Sequence, residues 1–341
     1  MLFNNTPALI YQFALEFFIA SIRLILLLHQ PLASGTPPQP SQCSPTYRGR
    51  FAPSPTGPLH FGSLATALGS YLDARAHGGD WLLRIEDLDP PREQPGAADA
   101  IMRMLEAHGL HWDGSVLFQH TRLDAYQAAV AYLLKKNMAY PCTCSRREIA
   151  DSGMHGLEGP MYTGTCRNRL GNDKRAAGVR LKVPIDETFS FNDVLQGAIN
   201  QHLADEIGDF IVRRVDGHFA YQLAVVLDDA FQGINHVVRG ADLLISTPRQ
   251  IYLQHLFGLP TPEYMHLPVA VDTQGAKISK QTQAAQLDGK SPSQALCLAL
   301  QFLGQSPLAD LQLAAPHEVL SWAVSYWQPN LIKGVSSRRF M

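Results

Sequence analysis

Between Arg50 and Asp89 the chain reads RFAPSPTGPLHFGSLATALGSYLDARAHGGDWLLRIEDLD, and no other stretch narrows its possible folds as far. Arg50, Phe51 and Ala52 have the character of a short buried strand that ends, and the following Pro53, Ser54, Pro55, Thr56, Gly57 and Pro58 are turn residues. Leu64, Ala65, Ala67, Leu68, Tyr71, Leu72 and Ala76 then recur at helical spacing until Gly78 and Gly79 close the segment. Trp81 to Ile85 reads as a second buried strand. Strand, glycine-bearing turn, helix and strand make a β-α-β unit, the usual entry to a parallel sheet. A turn of this kind suits an anion at the helix N-terminus, where unpaired backbone N–H groups and the helix dipole meet a phosphate.

His60 sits where the turn passes into the helix and Ser63 on its first turn, while Arg84, Glu86, Asp87 and Asp89 follow as a charged cluster. With those residues in place, SPTGPLHFGS resembles the signature of class I aminoacyl-tRNA synthetases, His60-Phe61-Gly62-Ser63 standing for the family's HIGH motif. RFAPSPTG followed by LRIEDLD resembles the form used by glutamyl-specific members. The fold expected from this resemblance is α/β: a Rossmann-type parallel-sheet nucleotide-binding domain with an insertion between its halves.

At 341 residues the chain is long enough for roughly two domains, at about 100 to 200 residues each. A formal net charge of −2 gives no global attraction for a polyanion, so contact with nucleic acid needs a local basic face. Residues 1–46 differ from the rest. Ala8 to Leu28 is apolar but broken by Glu16 and Arg23, and Pro31, Pro37, Pro38 and Pro40 follow. A spanning helix wants about 20 apolar residues, and a signal peptide wants positive charge before its apolar core. Met1 to Ala8 carries none. The expectation is an extension outside the fold, with no membrane partner and a cytoplasmic, monomeric protein whose body starts near Tyr47.

Cys43 and Cys297 read as ordinary thiols. Cys142 and Cys144 form a Cys-x-Cys pair and Cys166 closes a glycine-rich loop, the economy by which short loops gather thiolates onto a zinc tetrahedron. Three cysteines leave one corner. His155 lies within the loop and could fill it, whereas resemblance to glutamyl-queuosine tRNA(Asp) synthetases implies the Tyr162 phenolate; a reduced cluster without metal is the third alternative. Arg146, Arg147, Arg167, Arg169, Lys174, Arg175 and Arg180 crowd the same region and suggest a basic face for tRNA. Residues 137–206 are therefore read as the insertion, between halves at 47–136 and 207–290, with Ala97 to His108 and Arg122 to Asn137 as helices and Val116 to Gln119 as a short strand.

In the second half, Asp209 to Arg213 reads as a strand, Tyr221 to Leu227 as a buried run ahead of Asp228-Asp229, and Val237, Val238 and Arg239 as the end of another strand. Open parallel sheets bind ligands at that carboxyl edge, and an arginine there suits a bidentate grip on a carboxylate. The resemblance implies that Arg50 and Arg239 hold the carboxylates of glutamate, with Ser54 and Tyr221 beside them and Glu86 on the α-ammonium. Lys277-Ile278-Ser279-Lys280-Gln281, after a strand at Leu267 to Val271, resembles the family's KMSKS loop with Ile278 for methionine and Gln281 for the last serine. Pro53, His60, Gly62, Ser63, Lys277, Ser279 and Lys280 are the implied ATP contacts, with Mg²⁺ accompanying ATP, and His60 and Lys280 the implied catalytic pair. Beyond Gln281 only 60 residues remain, 341 minus 281, reading as two or three helices and too few for the usual anticodon-binding domain. The resemblance therefore implies glutamate activation with ATP, then transfer to queuosine of tRNA(Asp). A minimal glutamyl-tRNA synthetase and a non-catalytic tRNA-binding paralog are the alternatives.

Overall fold

In the computed structural model the described residues are 46–168, 176–272, 274–275 and 289–339. Two compact units are formed by 46–120, 188–201 and 232–339 on one hand and by 121–187 with 202–231 on the other. No helix among the described residues is long and apolar enough to cross a membrane, and residues 1–45 lie outside them.

The first unit opens with β1 (Arg48–Phe51), α1 (Phe61–Ala76), β2 (Asp80–Ile85), α2 (Ala97–Ala107) and β3 (Leu117–Phe118). It resumes with β4 (Thr188–Asp193), β5 (Gly197–His202), β6 (His236–Gly240), α3 (Thr247–Phe257), β7 (Glu263–Leu267) and β8 (Val269–Val271), and closes with α4 (Pro292–Phe302), α5 (Pro316–Ser325) and β9 (Ser337–Arg339). Strands β1, β2 and β3 pair in that order, all parallel. A second sheet has the order β6-β7-β4-β5, with parallel β6–β7 and β7–β4 neighbours. Asn235 stitches the two sheets together: its backbone N–H donates to the Arg48 carbonyl at 3.1 Å, and its side-chain oxygen accepts from the Arg48 N–H at 2.7 Å. The resulting sequence β3-β2-β1 against β6-β7 is the doubly wound pattern, in which strand order reverses between β1 and β6 and ligands bind at the carboxyl ends there.

The residues explain this assembly. α1 buries Leu64, Leu68 and Leu72 completely, one helical turn apart, and β2 buries Trp81, Leu83 and Ile85. Gly69 lets α1 lie close to the sheet: a Cβ there would stand 2.6 Å from Leu267 Cδ1. α4 and α5 join the same core through Leu296, Leu300, Leu303, Val319 and Leu320, so the C-terminal helices are part of this unit. The expected strand at Leu267 to Val271 is two strands, because Pro268 cannot donate to a ladder. β8 turns away to pair with β9, in parallel register from Val269 with Ser337.

The second unit holds a three-stranded antiparallel sheet in the order Phe210–Arg213, Gly178–Leu181, Ala139–Cys142. Its helices Leu123–Lys135 and Tyr221–Phe231 are tied by buried Asp228, which accepts from Tyr126 Oη at 2.6 Å and Arg122 Nε at 3.1 Å. One sequence expectation gains a shape here and one differs. The run Tyr221 to Leu227 is helical; Leu223 to Asp229 are all buried, so the polar face that would betray a helical period is missing. Within the range expected as an insertion, β4 and β5 belong to the first unit, where β4 pairs with β7 through Asp193 and Tyr264.

Candidate active site

The turn after β1 is built for close approach. Gly57 has φ +132°, which disfavours any side chain, and the Glu86 N–H donates to the Pro53 carbonyl at 3.0 Å, fixing the turn against the end of β2. His60 is the N-cap of α1. Its Nδ1 accepts from the Ser63 N–H at 3.2 Å, which leaves the proton on Nε2, 3.0 Å from Ser63 Oγ. A cavity of about 270 Å³ opens here, near the lower end of the roughly 300–1,000 Å³ usual for ligand pockets. The turn supplies Pro53, Ser54 and Thr56, α1 supplies Gly62, Ser63 and Thr66, and His60 lies at their junction. Gly240 and Asp242 close it from the end of β6, and Val269 and Ala270 from β8.

Five of the residues expected from sequence, Pro53, Ser54, His60, Gly62 and Ser63, therefore border one cavity. Arg50, Glu86 and Arg239 do not line it. Arg50 and Arg239 occupy strands that lead to it and Glu86 directly follows β2: Arg50 in β1 is 3% exposed and Arg239 in β6 is 4% exposed, immediately before Gly240. Glu86 is paired with the fully buried Arg84 at 3.2 Å, and Arg84 also donates to Gln232 Oε1 at 2.8 Å. Tyr221 belongs to the second unit, as the first residue of its helix. Lys277, Ser279 and Lys280 lie outside the described residues.

Two features went unread in the sequence. Asp242, Thr56 and Thr66 border the cavity without any distinguishing motif. Behind Arg239 runs a buried network. Its Nε donates to His266 Nε2 at 3.0 Å, while its terminal nitrogens donate to Gln250 Oε1 and Thr247 Oγ1, both at 2.8 Å. His266 in turn donates from Nδ1 to Asp193 Oδ2 at 2.6 Å. Burial brings the His266 pKa down to about 4, against the pull of Asp193 and with help from the Arg239 charge. For Asp193, burial alone would raise the pKa, but the His266 hydrogen bond and backbone N–H groups hold it below its ordinary value.

In the second unit the sulfurs of Cys142, Cys144 and Cys166 lie within 4.8 Å of one another, with Cys144 and Cys166 at 3.5 Å. Tetrahedral zinc with bonds of about 2.3 Å places its sulfurs at about such separations. Tyr162 Oη stands 4.0 Å from Cys144 Sγ and accepts from the Cys166 N–H at 2.6 Å. His155, the other expected fourth ligand, is exposed and bonded to the Gly153 carbonyl, and it is not part of the cluster. Burial raises the Cys144 thiol to about 11. For Cys166 burial acts the same way, yet hydrogen bonds from the Thr143 backbone and from Tyr162 bring it down to about 7. Arg180 donates from Nε to Cys142 Sγ at 3.3 Å and lies over the Tyr162 ring at 4.0 Å. The expected basic face is correspondingly thinner: Arg180 is buried and Arg167 is paired with Asp209 at 3.0 Å, while Arg146 and Arg147 are exposed. Arg169, Lys174 and Arg175 lie outside the described residues.

A sequence profile of the catalytic domain of class I tRNA synthetases, the E and Q group, matches residues 46–324. A Dechloromonas aromatica protein named Glutamyl-Q tRNA(Asp) synthetase is 55% identical over 283 residues, covering 82% of this chain and 94% of its own. One of the same name from Thiobacillus denitrificans is 54% identical over 279 residues, covering 82% and 92%. The chain belongs to the glutamyl-Q tRNA(Asp) synthetases, within the class I tRNA synthetases. As a glutamyl-Q tRNA(Asp) synthetase family member it is an enzyme of the ATP-using ligase class. Its fold is shared with a solved glutamate tRNA ligase from Elizabethkingia meningosepticum in complex with its amino acid, at TM-score 0.71 and 26% identity, over 87% of this chain and 67% of that one. For the family, the cavity at the switch between β1 and β6 is where a doubly wound sheet places its ligand.

Proposed function

We propose that the chain activates glutamate with ATP in the absence of tRNA and then passes the glutamyl group to queuosine at the wobble position of tRNA(Asp), acting in the cytoplasm. In the first step an oxygen of the glutamate α-carboxylate attacks the α-phosphorus of ATP. A new P–O bond forms, the bond to the β-phosphate bridge oxygen breaks, and Mg²⁺-bound pyrophosphate leaves with the electron pair. In the second step a queuosine hydroxyl attacks the mixed-anhydride carbonyl, loses its proton and expels AMP.

In-line substitution of this kind needs placement and charge stabilisation more than acid-base groups. Arg50 and Arg239 would hold the two carboxylates of glutamate, Glu86 its α-ammonium, and Ser54 and Tyr221 its flanks. Pro53, His60, Gly62 and Ser63 would receive ATP, with Lys277, Ser279 and Lys280. The His60 Nε2–H, on the tautomer its capping bond sets, would face charge growing on the phosphates beside Lys280. Cys142, Cys144, Tyr162 and Cys166 would hold one structural zinc, which supplies local folding energy and takes no part in the chemistry.

The observation that carries the reading is the cavity itself: the His60 turn, the α1 N-terminus and the ends of the two strands bearing Arg50 and Arg239 adjoin it. Transfer to queuosine rests on the name shared by the relatives. The likeness to a glutamate tRNA ligase supports a second reading, glutamylation of a tRNA 3′ end. Radiolabelled glutamate offered to tRNA(Asp) with and without queuosine, followed by nuclease mapping, separates them. Label confined to the anticodon fragment of queuosine-bearing tRNA is expected; label on the 3′ end of tRNA(Glu) would replace this reading with the second.

A further inference from the structure

Arg239, His266 and Asp193 lie on three neighbouring strands, β6, β7 and β4. Arg239 and His266 are register partners, and the hydrogen bonds run straight across the sheet from Asp193 through the imidazole to the guanidinium. Both His266 and Asp193 are wholly enclosed, with side chains 0% exposed. Asp193 Oδ1 is occupied by three backbone N–H groups, of Leu195 at 3.1 Å, Gln196 at 2.9 Å and His266 at 3.2 Å. Its Oδ2 is thereby committed to His266. Because Nδ1–H answers that carboxylate, Nε2 keeps its lone pair, and only the lone pair can accept from Arg239 Nε–H. The opposite tautomer would put two N–H groups face to face across the 3.0 Å between Arg239 Nε and His266 Nε2.

We propose that Asp193 and His266 are positioning residues: they lock the imidazole tautomer that fixes the plane of Arg239, and through it the geometry with which glutamate's carboxylate is bound. The inference rests on the reading of Arg239 as a carboxylate holder and adds why that arginine is set at one angle. A guanidinium recognises a carboxylate through a planar fork, so a roll of the plane costs the second hydrogen bond. Thr247 and Gln250, from α3, hold the same guanidinium by its terminal nitrogens. This also accounts for the placement of β4 in the first unit, since β4 contributes Asp193.

Asp193→Asn is the informative variant. The three backbone donors keep the amide oxygen where Oδ1 was, which turns the NH₂ toward His266 and draws the proton of the imidazole to Nε2. Glutamate-dependent ATP–pyrophosphate exchange with the full chain should show KM for glutamate raised at least tenfold and KM for ATP unchanged, in a variant whose melting temperature stays above the assay temperature. His266→Gln, whose amide can both donate to Asp193 and accept from Arg239, should recover most of the glutamate affinity that His266→Leu loses. Glutamate KM within twofold of the wild type in folded Asp193→Asn and His266→Leu overturns the inference. Arg239→Lys is measured alongside: if it raises glutamate KM while those variants do not, this inference alone fails, and if it has no effect the reading of Arg239 fails with it. Nitrogen-15 shifts of His266 in the wild-type chain, assigned through His266→Gln, give a test independent of mutant folding. A protonated Nδ1 is expected, and a protonated Nε2 refutes the lock.

Discussion

The cavity at the end of β1 and the cysteine cluster are sites of opposite construction. The first is assembled from chain segments nearly two hundred residues apart, Pro53 to Thr66 and Gly240 to Ala270, and the continuous core of Leu64, Leu68, Trp81, Val238, Leu267 and Leu296 holds them in place. The second is gathered within 25 residues, Cys142 to Cys166, and its own buried cluster amounts to Tyr140, Cys142, Tyr162 and Cys166. A site of the first kind depends on the fold around it and contributes little to that fold. A site of the second kind has little apolar surface of its own, so the ion proposed there would supply what the core does not.

If that contrast is right, each site can be destroyed without the other. His60→Ala removes the N-cap of α1 and the donor proposed for the phosphates. Loss of one such preorganised donor should cost about 10²–10³-fold in kcat for ATP–pyrophosphate exchange, and loss of the cap about 1 kcal/mol of stability. Metal analysis of this variant should return the wild-type zinc content, and co-loss of zinc would break the separation.

The reciprocal experiment acts on the ligands. Cys144→Ser should bind no zinc after dialysis against a chelator, whereas Arg180→Met, which leaves all four candidate ligands in place, should bind it about 10–100-fold more weakly, the usual cost of removing an outer-shell partner. Arg180 touches two of the four, Cys142 and Tyr162, and its charge would offset part of the negative charge that three thiolates and a phenolate would bring to a divalent ion. All four tryptophans, Trp81, Trp112, Trp322 and Trp327, lie in the first unit. Zinc loss should therefore alter far-ultraviolet dichroism while leaving tryptophan fluorescence as it was. Full zinc occupancy in Cys144→Ser would remove the cluster from the metal-binding residues.

The same contrast governs what could be read from sequence. The His60 turn and α1 were legible because each residue is required locally: Gly57 by its backbone angle, His60 by the cap, and Leu64, Leu68 and Leu72 by the period of the helix. The Cys-x-Cys pair was legible because metal ligands are few in kind and closely spaced. Tyr221 to Leu227 was legible as a buried run but not as a helix, because Leu223 to Asp229 are all buried and leave no polar face to mark the period. The membership of β4 depends on a partner more than 70 residues away, Tyr264, and no local pattern announces it. Asp193 and His266 were missed for a related reason. A lone histidine in an apolar strand carries no motif, and its meaning comes only from the strands on either side.

The smallest effect separates the units by pH. His266 is buried in neutral form with its pKa near 4, whereas in the unfolded chain it titrates near 6.5. Between those values the unfolded state binds more protons, so the stability contributed is complete above pH 6.5 and is lost as the pH falls toward 4. From pH 7 to pH 5.5 the loss from His266 is about 1 kcal/mol. His108 and His236, whose pKa values burial also lowers, add to it with the same sign, and all three histidines lie in the first unit. Urea titrations followed by tryptophan fluorescence should show the midpoint falling from pH 7 to pH 5.5, with a smaller fall in His266→Gln, which has no proton to gain. An equal fall in that variant would mean that His266 takes up protons alike in the folded and unfolded chain over this range, which a neutral, enclosed imidazole accepting from Arg239 would not do.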